Sequence, residues 1–176
     1  MGHPMGIYKS IVFQTALLGL LTTATSGCAE EISVPFDARQ AQYILREGAN
    51  TIMGRASLVS HSGHERSCSD SNVYLIPVTS YSHEWVARIF GSPPSEYGSR
   101  IVEEHLAADA QFEKFQRRAT CDDAGNFRFD HVPDGQYYVF STIYWLTRWQ
   151  RNGGALLGQV TVSGDMSTKI ILQHQS

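Results

Sequence analysis

Apolar residues in this chain form one continuous run near the N-terminus and, after residue 50, short segments in which apolar and polar residues alternate. The alternation, with its period of two, predicts half-buried strands. It is modest over residues 51–59 (TIMGRASLV) and stronger over 72–79 (NVYLIPVT), where Pro77 predicts an edge position or a strand end. Around residues 117–145 Ala119 and Cys121 point one way, and Phe127 and Phe129 alternate with Arg128 and Asp130. The longest predicted strand runs from Gln136 to Trp145. One face carries Tyr137, Val139, Ser141 and Ile143, and the other Tyr138, Phe140, Thr142 and Tyr144. Residues 156–162 and 168–173 complete about seven strands. Gly125 and the Pro133-Asp134-Gly135 triplet supply turns. Seven short strands separated by Gly, Pro and Asp predict an all-β antiparallel sandwich.

Helical spacing appears in three places. Residues 38–47 predict a few turns ended by Gly48. Ser82 is placed to cap a helix through Phe90, with Trp85, Val86, Ile89 and Phe90 on one side, before Gly91-Ser-Pro-Pro breaks it. A further pattern over 99–110 carries Ile101, Val102 and Leu106. Together they predict a helical insertion over residues 82–113 between strands, while 61–70 (HSGHERSCSD) reads as a polar loop.

The continuous apolar run, residues 11–21, has the length of a signal-peptide core and is too short for a membrane-spanning helix. Thr25, Ser26, Gly27 and Cys28 follow it. This end resembles the lipobox of bacterial lipoproteins, with Thr25 where Leu is usual. The resemblance implies a signal peptide at 1–27, lipid such as palmitate on Cys28, and a tether with a short helix over 28–47. It also implies a place in the cell envelope, and Ala29 points to the outer membrane, facing the periplasm. An ordinary secreted protein and an uncleaved anchor are the alternatives. Without residues 1–27, about 149 residues remain, enough for one domain with a real core. One Lys and no acid leave with them, so the net charge moves from −3 to −4. No basic footprint for nucleic acid is present. Two thiols then remain, Cys68 and Cys121, either bridged across about 50 residues or separately buried.

Thr120, Asp122, Gly125, Phe127, Phe129, Val132, Pro133, Gly135 and Tyr137 match a Thr-x-Asp-x-x-Gly-x-Phe-x-Phe strand pair, an apolar-Pro-x-Gly turn and a Gly-x-Tyr start. With Gly54, Leu75 and Pro77, they resemble the carboxypeptidase regulatory-like family over residues 48–173, apart from the 82–113 insertion. The resemblance implies a transthyretin-like, Ig-like sandwich over 48–176, used in that family as an accessory and non-catalytic module.

Candidate chemistry is sparse. His61-x-x-His64 with Cys68 nearby invites a metal-site reading, though solvated loop histidines fit as well. Glu103, Glu104 and His105 read as the wet face of a helix. No G-x-S-x-G or comparable nucleophile frame is present, which predicts a non-enzyme without a cofactor. Tyr138, Phe140 and Tyr144, with Trp145 and Trp149 nearby, are either covered by the 82–113 helices or form an aromatic surface for an envelope protein or a glycan. The expected function is a lipid-anchored binding or assembly module. A periplasmic metal-binding protein and a subunit of an envelope secretion machine are the alternatives, the latter by analogy of fold alone.

Overall fold

A computed structural model of the chain describes residues 30–98, 106–148 and 150–175. The signal segment, Cys28, Trp149 and residues 99–105, with Glu103, Glu104 and His105, lie outside the described residues. In chain order the strands are β1 (Glu30–Glu31), β2 (Asn50–Val59), β3 (Glu65–Ser67), β4 (Asn72–Pro77), β5 (Tyr97–Gly98) and β6 (Leu106–Ala107). They continue with β7 (Arg117–Thr120), β8 (Asn126–Val132), β9 (Gly135–Thr147), β10 (Gln150–Val162) and β11 (Ser167–Gln175). Helix α1 is Ala38–Ala41, followed by a 3-10 turn at Gln42–Leu45, and α2 is Ser80–Phe90.

The chain folds as the expected all-β sandwich. One sheet has the order β5-β10-β9-β4-β7. In the other, β2 is central: β11 runs parallel along one edge, and β8 and β3 share the opposite edge antiparallel. These two sheets hold nine strands. The two beyond the expected seven are β3 and β5, too short to show a period. β1 and β6 form a separate two-residue parallel pair, so the end of the 99–110 pattern is strand where helix was expected. Strand β10 begins at Gln150 rather than 156, because β9 pairs with it from Thr147 down to Gly135. Pro77 ends β4, which lies between β9 and β7, so the proline marks a strand end and not an edge.

The sandwich core holds Ile52, Leu58, Val73, Leu75, Phe127, Phe129, Val139, Leu156 and Val160. Tyr137 is fully buried there, and its hydroxyl donates to the Pro133 carbonyl at 2.8 Å. Burial pushes that phenol well above its ordinary pKa. A second core lies outside the five-stranded sheet, where α2 packs Tyr81, Trp85, Val86, Ile89 and Phe90 onto Ile76, Tyr138, Phe140 and Leu157. Each large apolar side chain taken out of water there contributes about 2 kcal/mol. The cap of α2 is Thr79, not Ser82. The Ser82 N–H donates to Thr79 Oγ1 at 3.0 Å, and the Thr79 N–H donates to Ser82 Oγ at 2.8 Å, a reciprocal box. Among the described residues no helix is long and apolar enough to cross a membrane.

Asn50 is fully buried and ties three connections together. Its amide donates to the Val132 carbonyl at 2.9 Å and to Asp134 at 2.8 Å, and its Oδ1 accepts the Met166 N–H at 2.8 Å. Replacement by alanine strands a buried carbonyl and a backbone N–H. Asn50→Ala is expected to lower stability by about 2 kcal/mol in urea denaturation; a change within experimental error would show that these bonds are replaceable.

The segment expected to tether the domain is docked from Ile32 onward. Phe36 packs on Tyr81 and Phe115 at 5.5 and 5.4 Å between ring centroids. The Glu84 carboxylate of α2 accepts the Ser33 N–H and hydroxyl and the Val34 N–H, each at 2.9 Å, and pairs with Arg88 at 3.0 Å. The Ser33 and Val34 backbone donors, with Arg88 and the Ser33 hydroxyl, outweigh desolvation and lower the Glu84 pKa from 4.5 to about 2. A carboxylate depressed in the docked state stabilises docking above pH 4.5, and that contribution is lost as pH falls through about 2. Carboxyl NMR is expected to place the Glu84 midpoint near 2, with the Ser33 and Val34 amides shifting in parallel. A midpoint near 4.5 would mean the segment is not held this way.

Candidate functional site

Two connections and the edge strand β5 meet at the end of the sandwich where β2 and β9 finish. In the β2–β3 loop the Gly63 N–H donates to the Ser60 carbonyl at 2.8 Å and the Ser60 N–H to the His64 carbonyl at 2.9 Å. Gly63 sits at φ 82°, where glycine is favoured, and the tight turn leaves His61 and Ser62 at its tip. Between β9 and β10 the Asn152 amide donates to Thr147 Oγ1 at 2.6 Å and to the Gln150 carbonyl at 3.0 Å. Asn152 Oδ1 has no hydrogen-bond donor among the described residues and remains an acceptor for a ligand.

Tyr97 comes from the edge strand β5. Its ring lies against β10 because Gly154 has no side chain: a Cβ there would come within 2.6 Å of the tyrosine ring. The Tyr97 hydroxyl donates to the Gly153 carbonyl at 3.3 Å. The ring also stacks on His174 of β11, with centroids 4.0 Å apart and planes 5° from parallel, which closes the gap between the sheets. Trp145 lies on the core side of β9, half-buried, with the Arg66 guanidinium carbon 6.0 Å from its ring centroid. Between these parts opens a cavity of about 490 Å³, lined by Ser60, His61, Tyr97, Trp145, Thr147 and Asn152 among others.

Two larger clefts are less suited to a ligand. One of about 560 Å³ beside α2 contains Tyr74, Trp85, Phe112 and Phe140, but these rings pack on one another at centroid distances of 5.2 to 6.2 Å. The other, about 690 Å³, lies over β2, β8 and β11 and offers Met53, Ile170 and Ile171 with scattered cations. The end cavity combines two aromatic rings with hydroxyl, amide and imidazole groups, the mixture that orients a polar ligand with apolar faces.

The residues expected from sequence divide between these places. Tyr138 and Phe140 are only 2% and 8% exposed beneath α2, so they are not a binding surface. The helix covers them because both faces of β9 are apolar, and the Tyr138 hydroxyl meets His83 Nδ1 at 3.0 Å. Tyr144 lies beyond the helix with the Arg151 guanidinium 4.1 Å from its ring centroid. Trp145 is on the opposite face and lines the cavity; Trp149 lies outside the described residues. Cys68 and Cys121 form a disulfide with their Cα atoms 5.8 Å apart. Cys68 is therefore unavailable to a metal beside His61 and His64, and His64 Nδ1 instead meets Ser62 Oγ at 3.0 Å. Among the described residues no three His, Cys, Asp or Glu gather as a metal site. Tyr97 and Asn152 were not singled out from sequence. The adjacent Gly153 and Gly154 were the available signal, since glycine inside a strand marks a close approach.

No protein-family profile matches the chain, and no curated protein matches it. Among solved structures, a candidate carbohydrate-binding protein from Pseudomonas aeruginosa is similar, with a TM-score of 0.63 and 27% sequence identity. The match covers 79% of this chain and 97% of that one. The minor pilin GBS52 of the Gram-positive pathogen Streptococcus agalactiae aligns at a TM-score of 0.38 and 10% identity, over 73% of this chain and 45% of that one, which is too distant to carry an argument.

Proposed function

We propose that this chain is a non-enzymatic glycan-binding module of the cell envelope, held to the outer membrane by lipid on Cys28. The observation that carries the reading is the end cavity, where Trp145 and Tyr97 supply ring faces and Asn152, Thr147 and Ser60 supply hydrogen-bonding groups. Sugars have apolar C–H faces rimmed by hydroxyls, which suits such a lining. The carbohydrate-binding description of the Pseudomonas neighbour supports it. In this reading the site holds a ligand in place and leaves it chemically unchanged.

Only five positions separate Cys28 from Ser33, where docking to Glu84 begins. Fully extended, they span about 18 Å, which keeps the domain close to the bilayer. Mass spectrometry of the mature N-terminus is expected to find acylated Cys28; an unmodified cysteine would remove the anchor. For the glycan reading, the full chain is expected to bind members of a glycan array, and Trp145→Ala to lose them. Binding unchanged by Trp145→Ala would place the glycan elsewhere.

A further inference from the structure

We propose that β11 is a docking edge for a second copy of this chain, the two β11 strands pairing antiparallel about a two-fold axis at Ile171. The inference stands apart from the glycan reading. β11 is the end strand of its sheet, nine residues long, and follows β2 without a register shift over its whole length. The other end strands are protected against further pairing. β3, β5 and β7 hold three, two and four residues. β8 carries Arg128 and Asp130, and Arg117 Nη1 donates to its Asp130 and His131 carbonyls at 3.1 and 2.8 Å. β11 has neither proline nor bulge and a single lysine, and among the described residues no strand pairs with its outer edge. At its middle Ile171 stands 76% exposed.

The edge also specifies a register. In a parallel pair a residue turns its N–H and its carbonyl to one neighbour, and the next residue turns both away. The Met166 carbonyl accepts the Thr51 N–H at 2.8 Å, and the Met166 N–H donates to Asn50 Oδ1 at 2.8 Å, so Met166 faces β2. Counting on from it, Thr168, Ile170, Leu172 and His174 turn their peptide groups to β2. Ser167, Lys169, Ile171, Gln173 and Gln175 turn theirs to the open edge. Pairing centred on Ile171 sets these five against one another: Ile171 on Ile171, Lys169 on Gln173 and Ser167 on Gln175. Each such pair exchanges two hydrogen bonds. No like charges meet, and the two isoleucine side chains cover each other. Gln173 Nε2 donates to Ser57 Oγ at 3.3 Å, which leaves the amide oxygen for Lys169 of the second copy. A shift of two residues would set Ile171 against Lys169 or Gln173 and shorten the ladder.

A two-fold axis in an antiparallel ladder stands perpendicular to the sheet, so each layer stays on its own side. Both α2 helices, with Ile32 and Phe36 packed against them, then lie on the same side of the pair. Two chains anchored through Cys28 in one bilayer need that arrangement.

The test is sedimentation equilibrium of the full chain in density-matched detergent. The mean mass is expected to climb from one chain to two as concentration rises. Ile171→Lys places two lysines opposite each other at a position too exposed to disturb the fold, and is expected to return the mass to one chain. Ile171→Val is expected to keep the pair. Register is read by oxidation in a Cys28→Ser background, where Cys68 and Cys121 are already bridged to each other. Ile171→Cys is expected to cross-link with itself. Lys169→Cys is expected to cross-link with Gln173→Cys in a mixture and not with itself. A mass that stays at one chain up to about 1 mM overturns the proposal, whether the edge is idle or serves a strand of another protein. A pair that survives Ile171→Lys and leaves Ile171→Cys unlinked is built elsewhere and overturns it too.

Discussion

Replacing Cys68 and Cys121 together by alanine is expected to lower the stability of the domain by about 4 kcal/mol. The bridge closes a loop of 53 residues, and in the chain-entropy account a loop of that size confines the unfolded chain by this amount. Its position gives it further leverage. Cys68 follows β3 of one sheet and Cys121 follows β7 of the other, so the bond straps the sheets at one edge. Both half-cystines belong to the sandwich core, at 0% and 4% exposure. For a domain of this size the loss corresponds to a fall in Tm of roughly 10 °C, measurable by calorimetry with and without reductant. An unchanged Tm would mean that the β3 and β7 edges hold without the strap.

The second large effect is on binding. Trp145→Ala is expected to weaken glycan affinity about 30-fold, equivalent to about 2 kcal/mol, the scale set by buried aromatic anchors at interfaces. The indole also rests on the sandwich core, so some stability is lost as well, and affinity has to be read on the folded fraction. Trp145→Phe separates the two effects: a smaller ring that still offers a face is expected to recover part of the affinity. Tyr97→Ala is expected to act in the same direction, with an added opening between the sheets where the His174 stack is lost. A Trp145→Ala protein that binds as tightly as the parent would remove the cavity from the account.

Much of the fold was legible because strands with one buried face write a period of two into the sequence. The β8–β9 region shows this best: Phe127, Phe129, Tyr137 and Val139 all enter the core they were expected to fill. The two apolar faces of β9 were legible too, and cover by the helices of 82–113 was one of the two readings of the outer one; the pattern alone did not decide between them. That depended on α2 folding back across the sheet, a contact between residues some 50 positions apart, such as Trp85 and Phe140. Asn50 reads in sequence as an ordinary polar residue before a strand. Its role appears only when the β8–β9 and β10–β11 turns close around it. The same holds for Tyr97, which lies in a two-residue strand after a Gly-Ser-Pro-Pro breaker and gains a partner only across both sheets. Elements that pattern shows were read, and sites assembled from separate loops were not. Trp145 was singled out in advance as an aromatic residue near the end of a long strand, and it lines the end cavity.

The most direct test of the account is an NMR titration of the full chain with a glycan that it binds, following backbone amides and tryptophan indoles. The account predicts perturbations clustered at the Trp145 indole, Tyr97, Asn152 and the loop of residues 60–64. The α2 groove around Trp85 and Phe112 should stay unchanged. Perturbations centred on that groove, with the Trp145 indole unmoved, would contradict it.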